Sequence, residues 1–231
     1  MKKPETFISI FPYICRKTET NNPTCRMLYQ EFRQNMFALG YFTSHQAYAL
    51  FPKFDKNNLG RWVRQGYLVK LRNGYYSFPE YLNDRDFAFF LANRIYRPSY
   101  ISLHTALAFY GLIPESIIQI TSVSSLKTVT FNNRFGTYTY QTVQPRLMFG
   151  YNNRTLPGSR TLLFATPEKA LLDLLYLYPF YNSALEMEEL RMDPESLHEG
   201  FNVDLFRTYT AQVLNKGLET RSMLFLKTYG L

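Results

Sequence analysis

The chain has 231 residues, enough for two modest domains that each bury a core, and 17% of its residues are aromatic, which argues against disorder. No apolar run approaches the roughly 20 residues needed to cross a bilayer, and Cys15 and Cys25 fit neither a disulfide framework nor a Cys-x-x-Cys metal site. We therefore expect a cytoplasmic protein without a membrane partner. Residues 1–80 carry a net charge of +7 of the total +8, which is typical of a polyanion-binding surface, although a lysine-rich solubilising surface gives a similar count.

The first third of the chain is predicted to hold an N-terminal extension, residues 1–26, and a small domain of three helices and a hairpin, residues 27–82. The first helix spans residues 27–39 and ends at Gly40. Its apolar side chains recur at helical spacing and form one face: Leu28, Phe32, Met36 and Leu39. We expect this helix to pack across the two that follow.

Two short helices joined by a tight turn come next. Thr43 is expected to cap the first helix, and Gln46 is at the position from which its side chain can bond back to the Thr43 N–H. Pro52 is expected to end this helix. Asp55 is placed to cap the second helix, which ends at Gly66. The apolar residues of the first helix are Ala47, Leu50 and Phe51. This arrangement is typical of a helix-turn-helix.

The second of these helices has two chemically different faces. Asn57, Arg61 and Arg64 are spaced i, i+4, i+7 and therefore share one side. The apolar residues expected to face the core are Leu59, Trp62 and Val63. Gly60 permits close approach of the backbone, either to DNA or to a neighbouring helix.

From residue 67 to residue 78 the pattern changes to a period of two around the pair Asn73-Gly74. Asn-Gly between β-prone runs predicts a hairpin, because both central residues of a type I′ turn need a positive φ. A basic hairpin after a helix-turn-helix is the order of a winged helix, in which the second helix enters the major groove and the ribbon reaches flanking phosphates. The sequence therefore predicts a winged helix-turn-helix that binds duplex DNA.

Particular residues of this domain suit particular DNA contacts. Asn57 and Asn58 suit bidentate pairing with adenine and Arg61 with guanine, although asparagine near a helix start is also a common local hydrogen bonder. The candidates better suited to the phosphate backbone are Lys53, Lys56, Arg64, Lys70 and Arg72. Asn73, in the hairpin turn, is a further candidate for DNA contact.

After a boundary at residues 79–83, residues 83–179 are predicted to form an α/β domain. Its strands are expected at residues 116–123, 127–131, 137–143, 146–151 and 160–165, which gives an antiparallel or mixed sheet of about five strands. An Asn-Asn-Arg-Thr-Leu-Pro-Gly segment, residues 152–158, is expected to be a loop between the last two. The overall fold class is α+β.

Helices are expected around and after this sheet. One begins at residue 84, a second runs from a cap at Ser102 to a stop at Gly111 with Phe109 buried, and a third begins with Thr166 as cap and Pro167 as first residue. Residues 180–231 are predicted to be a helical segment with helices at 184–190, 194–199, 203–214 and 221–227.

No enzymatic chemistry is indicated. The chain has no Gly-x-Gly-x-x-Gly, Walker A, His-Glu-x-x-His or Gly-x-Ser-x-Gly motif. Its three histidines are scattered, and Glu168 and Asp173 lie five positions apart, so they do not share a helical face. We expect neither an enzyme nor a cofactor or metal site. The acidic group Glu186, Glu188 and Glu189 is either a solvated helix face or a surface for a protein partner.

Two segments of the second domain resemble a known family. Residues 100–114, Tyr-Ile-Ser-Leu-His-Thr-Ala-Leu-Ala-Phe-Tyr-Gly-Leu-Ile-Pro, and residues 165–175, Ala-Thr-Pro-Glu-Lys-Ala-Leu-Leu-Asp-Leu-Leu, resemble the two signature segments of AbiEi-like proteins. These are the antitoxins of type IV toxin–antitoxin, or abortive infection, systems. They combine a winged helix with an α/β domain, and the resemblance covers about residues 42–178.

The resemblance implies a transcriptional regulator of its own operon. Its N-terminal domain is expected to bind operator repeats in double-stranded DNA, and its C-terminal part to oppose a nucleotidyltransferase-like toxin. The alternative is a protein-interaction module that uses a winged-helix fold without binding DNA.

Overall fold

The computed structural model describes residues 29–114, 118–156 and 160–231. The predicted extension, residues 1–26, and both cysteines lie outside these ranges. Within them the chain is a mixed α/β protein with two sheets. Its helices are α1 Tyr29–Met36, α2 Ser44–Leu50, α3 Asn57–Arg64, α4 Arg85–Ile95, α5 Leu103–Phe109, α6 Pro167–Leu177, α7 Ala184–Glu188, α8 Pro194–Gly200, α9 Val203–Val213 and α10 Lys216–Tyr229. Its strands are β1 Tyr41–Thr43, β2 Val69–Arg72, β3 Tyr75–Ser77, β4 Ser99–Ile101, β5 Gln119–Ser124, β6 Val129–Asn133, β7 Gly136–Thr142, β8 Tyr151–Leu156 and β9 Arg160–Ala165.

The first sheet is antiparallel, in the order β1-β3-β2. The Asn73-Gly74 turn joins β2 to β3 with Gly74 at φ +76°, so the predicted hairpin is confirmed. Strand β1 was not predicted, because three residues carry too short a pattern and it forms only by pairing with β3. An aromatic core lies between this sheet and helices α1 to α3, and it includes Phe32, Phe42 and Trp62.

The second sheet has six strands in the order β6-β7-β5-β4-β9-β8, not about five. It is mixed, because the β4–β9 and β5–β7 pairs are parallel and the other three pairs are antiparallel. The strand that the sequence prediction lacked is β4, which is three residues long and receives its partners from distant parts of the chain.

The strand predicted at residues 146–151 is wrong. Pro145 starts a 3-10 turn, Pro145–Leu147, and the strand is Tyr151–Leu156, which pairs along its whole length with β9. The Asn-Asn-Arg-Thr-Leu stretch predicted as loop is therefore most of a strand. Its sequence predicts a loop because an edge strand that is exposed on both faces lacks the alternation of apolar and polar residues that marks a strand.

Helices cover both faces of the six-stranded sheet. Tyr140 on β7 donates a hydrogen bond to the carbonyl of Ala92 on α4 (2.7 Å). Thr121 on β5 contacts Thr105 of α5 through a 3.0 Å hydroxyl contact, and its neighbour Ser122 pairs beside Tyr140. Because successive strand residues point to opposite faces, α4 and α5 lie on opposite sides. Helix α6 packs between α5 and the α9–α10 pair.

Several helix predictions need correction. Leu39, expected on the apolar face of the first helix, lies in the 3-10 turn after α1 and is 48% exposed. Ser102 precedes α5, but its hydroxyl donates to Asp173 instead of accepting a helix N–H (2.8 Å). Phe109 is exposed. The last helix begins at Lys216 rather than residue 221, because Leu214 at φ +54° ends α9 and Asn215 caps α10.

The two sheets meet at a junction built on aromatic and charged side chains. Tyr81 stacks on Phe87 with ring centroids 4.4 Å apart. The Asp84 carboxylate caps α4 and forms an ion pair with Arg160. Burial alone would raise the pKa of the Asp84 carboxyl, but the Arg160 guanidinium and the Phe87 N–H together hold it below its usual value. The ion pair thus fixes the start of α4 to the start of β9.

Candidate nucleic-acid interface

The two short helices are held by local caps and by buried aromatic residues in the turn between them. Thr43 and Gln46 form the predicted capping box: the Thr43 N–H donates to the Gln46 side chain (2.8 Å), and the Gln46 N–H donates to the Thr43 hydroxyl (3.2 Å). The turn is anchored by buried Phe51 and Phe54. The residue that precedes α3 is Lys56, which makes no side-chain cap, so the predicted cap at Asp55 lies one residue too early. The Asp55 carboxylate nevertheless accepts the N–H of Asn57 (2.9 Å), the first residue of α3.

Helix α3 buries one face and leaves the other open. Leu59 and Trp62 are each 2% exposed, whereas Asn57, Gly60 and Arg64 are exposed. A β-carbon added at Gly60 would meet no atom within 4 Å. The open face of α3 is therefore free of packing against the described chain around its midpoint.

Asn58 and Arg61 interact with each other. Asn58 is 3% exposed, and its side-chain oxygen accepts a 2.7 Å hydrogen bond from the half-buried Arg61 guanidinium. Asn58 therefore makes a local hydrogen bond within α3, which is the alternative role that the sequence allowed for it. Arg61 keeps donors beyond the one that Asn58 receives, because a guanidinium has five.

Six of the nine predicted contact residues are exposed: Lys53, Lys56, Asn57, Arg64, Lys70 and Asn73. None of these forms an ion pair within the described ranges. The hairpin turn also lies against the start of α2, since the N–H of Ser44 donates to the carbonyl of Gly74 (2.8 Å). Exposed His45 follows Ser44 and therefore lies beside the hairpin turn. The sequence did not indicate this position because the contact depends on the pairing of β1 with β3.

Arg72 lies at the junction of the two sheets. Its guanidinium carbon is 3.9 Å from the Tyr75 ring centroid and 5.7 Å from that of Phe131 on β6, and its Nε is buried without a hydrogen-bond partner in the described chain. A register shift between Lys70 and Arg72 accompanies this placement. Arg72, predicted as a phosphate contact, is therefore half-buried and has ring contacts on both sheets.

A buried cluster of charged groups lies in the core of the larger unit, by which we mean the six-stranded sheet with helices α4 to α10. The sequence analysis did not predict it. Lys169 and Asp173 form an ion pair with both side chains 1% exposed. Asp173 also accepts hydrogen bonds from the hydroxyls of Tyr100 and Ser102, each at 2.8 Å. The Lys169 ammonium lies 4.5 Å from the Phe149 ring centroid. The available signal was the i, i+4 spacing of Lys169 and Asp173 on α6.

The contacts of this cluster are those of a buried ion pair that stabilises the core. Burial raises the pKa of the Asp173 carboxyl, while the Lys169 ammonium and the two hydroxyl donors oppose that rise. It joins residues 100–114 to residues 165–175, so these two segments contact each other.

Comparison of the chain with known protein families and with curated proteins found no match. None of the helices described in the structure is both long and apolar enough to cross a membrane. In the same part of the chain, His, Cys, Asp and Glu side chains form no group of three that is suited to holding a metal ion.

Proposed function

We propose that the protein is a DNA-binding transcriptional regulator whose N-terminal unit is a winged helix-turn-helix. In this proposal α3 enters the major groove and the β2–β3 hairpin lies along the flanking phosphates. The observation that carries it is the open face of α3, where Asn57, Gly60 and Arg64 are exposed. Two exposed lysines, Lys53 in the turn before α3 and Lys70 on the hairpin, form no ion pair in the described chain and would add contacts to DNA phosphates.

Gly60 supports an external partner for this face. Glycine in a helix interior costs about 1 kcal/mol relative to alanine, and no neighbouring side chain or backbone in the described chain requires its small size. Of the two interpretations that the sequence left open, packing against a neighbouring helix has no contact to support it. Close approach to a DNA backbone would explain the residue.

We further propose, from the resemblance of residues 100–114 and 165–175, that the protein is the autoregulating antitoxin of a type IV toxin–antitoxin system in the cytoplasm. Its partners would then be operator repeats in double-stranded DNA and a nucleotidyltransferase-like toxin. The larger unit, which carries both segments in its core, would be the toxin-opposing part.

The experiment that tests DNA binding is fluorescence anisotropy with a labelled duplex from the region upstream of the protein's own gene. An unrelated duplex of equal length serves as the control. We expect tighter binding to the upstream duplex at moderate salt. Equal or undetectable binding to both duplexes would favour the alternative, a protein-interaction module with a winged-helix fold.

Replacement of Gly60 by alanine separates folding from DNA binding. We expect Gly60→Ala to raise the free energy of unfolding by about 0.5–1 kcal/mol, because alanine is the better helix former. We also expect weaker binding to the upstream duplex, because the added methyl group occupies the closest approach. Urea unfolding and anisotropy on the same sample measure the two effects. A stabilised variant with unchanged affinity would remove Gly60 from the proposed interface.

A further inference from the structure

A cavity of about 630 Å³ opens on the α4 side of the six-stranded sheet, and none of the residues proposed to bind DNA lines it. It lies between the C-terminal end of α4, the start of β4, and strands β8 and β9. Arg94 and Arg97 enter it from the helix side, Asn153 lies at the edge strand, and Leu162 and Leu163 line it from β9. Its volume falls in the range of small-molecule sites, roughly 300–1,000 Å³.

No carboxylate of the described chain forms an ion pair with either arginine of this cavity. Arg94 donates from Nη2 to the carbonyl of Thr161 (2.9 Å), and Arg97 donates from Nε to the carbonyl of Asn93 (3.1 Å). Neither forms an ion pair within residues 29–114, 118–156 and 160–231. The Nε of Arg94 is buried and has no hydrogen-bond partner there, which is costly for a charged donor.

The Arg94 guanidinium has a favourable neighbour in the Phe90 ring, whose centroid lies 4.8 Å from the guanidinium carbon, but it has no anionic partner in the described chain. Burial lowers the pKa of Arg94, and the positive charge of Arg97 lowers it further. Two like charges at one cavity repel each other, and an oxyanion between them would relieve the repulsion and offer acceptors to the unused N–H donors. Guanidinium groups match phosphate and carboxylate oxygens in geometry as well as charge.

We propose that this cavity binds a small phosphate-bearing organic molecule, such as a nucleotide, with the phosphate held by Arg94 and Arg97. The apolar body of the ligand would lie against Leu163 and Pro98, which line the same cavity and are not fully buried. Asn153 is exposed on β8 and provides an amide at the rim. This inference does not depend on DNA binding by the N-terminal unit.

The competing interpretation is that the arginines only fasten α4 to the sheet. The Arg94 contact with Thr161 and the Arg97 contact with the end of its own helix would serve that purpose. This interpretation predicts that replacement of Arg97, which is exposed, changes no ligand binding. It accounts for the contact of the Arg94 guanidinium with the Phe90 ring (4.8 Å to the centroid) but supplies no hydrogen-bond acceptor for the buried Arg94 Nε.

The test is isothermal titration calorimetry of the full chain with three probes: inorganic pyrophosphate, ATP and a short DNA duplex. The variants are Arg97→Ala and Arg94→Lys, and the matched control is Arg85→Ala, an exposed arginine at the other end of α4. Thermal unfolding with and without each probe provides a second readout that detects ligand binding to the folded state. It also shows whether each variant is folded.

We expect ATP and pyrophosphate to bind the unaltered chain, with ATP tighter because the cavity has an apolar side. We expect Arg97→Ala to weaken both by about tenfold or more, the effect of losing a charge-assisted contact, and Arg85→Ala to change neither. Absence of heat and of a thermal shift with both small probes at millimolar concentration would overturn the proposal. So would equal affinity in folded Arg97→Ala, or binding of the DNA duplex alone at these arginines.

Discussion

Replacement of Lys169 by methionine is expected to destabilise the protein more than any other change considered, by about 3–5 kcal/mol. Lys169 and Asp173 are both almost completely buried and are paired with each other. Removing the ammonium leaves the Asp173 carboxylate in the core with only the hydroxyls of Tyr100 and Ser102 as partners. An unpaired buried charge costs more than its lost pair interaction, because its desolvation is no longer compensated.

The Arg207–Asp204 pair on α9 provides the matched control. Its charged atoms are 3.8 Å apart and its side chains are 61% and 94% exposed. We expect Arg207→Met to change the free energy of unfolding by less than about 1 kcal/mol, since exposed ion pairs contribute little. Urea unfolding of both variants measures the contrast. Similar small effects in the two variants would show that the buried pair does not hold the core together.

The pH dependence of the Lys169→Met variant follows from the sign of the pKa shift. Burial already raises the pKa of the Asp173 carboxyl in the native chain, and loss of the ammonium removes a group that opposed the rise. A carboxyl whose folded-state pKa lies above its unfolded-state value binds its proton more tightly when folded. The destabilisation is therefore largest at neutral pH and decreases as pH falls through that raised pKa. A variant with Asp173→Asn added should recover part of the loss at neutral pH.

Charge reversal at the proposed DNA-binding surface is expected to have the largest effect on function. The double variant Lys56→Glu, Arg64→Glu alters the residue before α3 and the last residue of α3, both exposed and without an ion pair in the described chain. Each phosphate contact contributes about tenfold in affinity near 0.1 M salt through counterion release. We therefore expect at least about a 100-fold loss of affinity for the upstream duplex, with repulsion adding to it.

The control for this prediction is the double variant Lys216→Glu, Lys227→Glu, which makes the same change in net charge on α10. Both lysines are exposed and far in sequence from the hairpin and α3. Anisotropy titrations should show near-normal affinity for this control. Equal losses in both variants would indicate that net charge, the property of a lysine-rich solubilising surface, determines binding.

The parts of the fold that local chemistry determines could be predicted from the sequence. The Thr43 and Gln46 capping box, the Asn73-Gly74 turn and the Thr166 cap before Pro167 each depend on residues within a few positions of one another. Their signals are therefore readable without tertiary structure. Strands β1 and β4 are three residues long and are stabilised by distant partners, so no local pattern indicated them.

The predicted site shows the same division. Helical spacing placed Asn57 and Arg64 on the open face of α3, where they are exposed. Asn58 was misjudged as a base contact because its burial depends on packing against the core and on Arg61. The half-burial of Arg72 could not be predicted because Phe131, which it lies near, belongs to the other sheet. Long-range contacts decide both cases.

The proposed function depends most directly on the electrostatic character of DNA binding, so the decisive measurement is the salt dependence of affinity for the upstream duplex. A plot of log Kobs against log salt concentration should be steep for the unaltered chain and about 0.9 less steep for Lys53→Ala, which removes one phosphate contact. Asn57→Ala should leave the slope of log Kobs against log salt concentration unchanged. It should reduce the ratio of the affinity for the upstream duplex to the affinity for unrelated DNA. An affinity independent of salt, or a Lys53→Ala slope equal to that of the unaltered chain, would contradict the account.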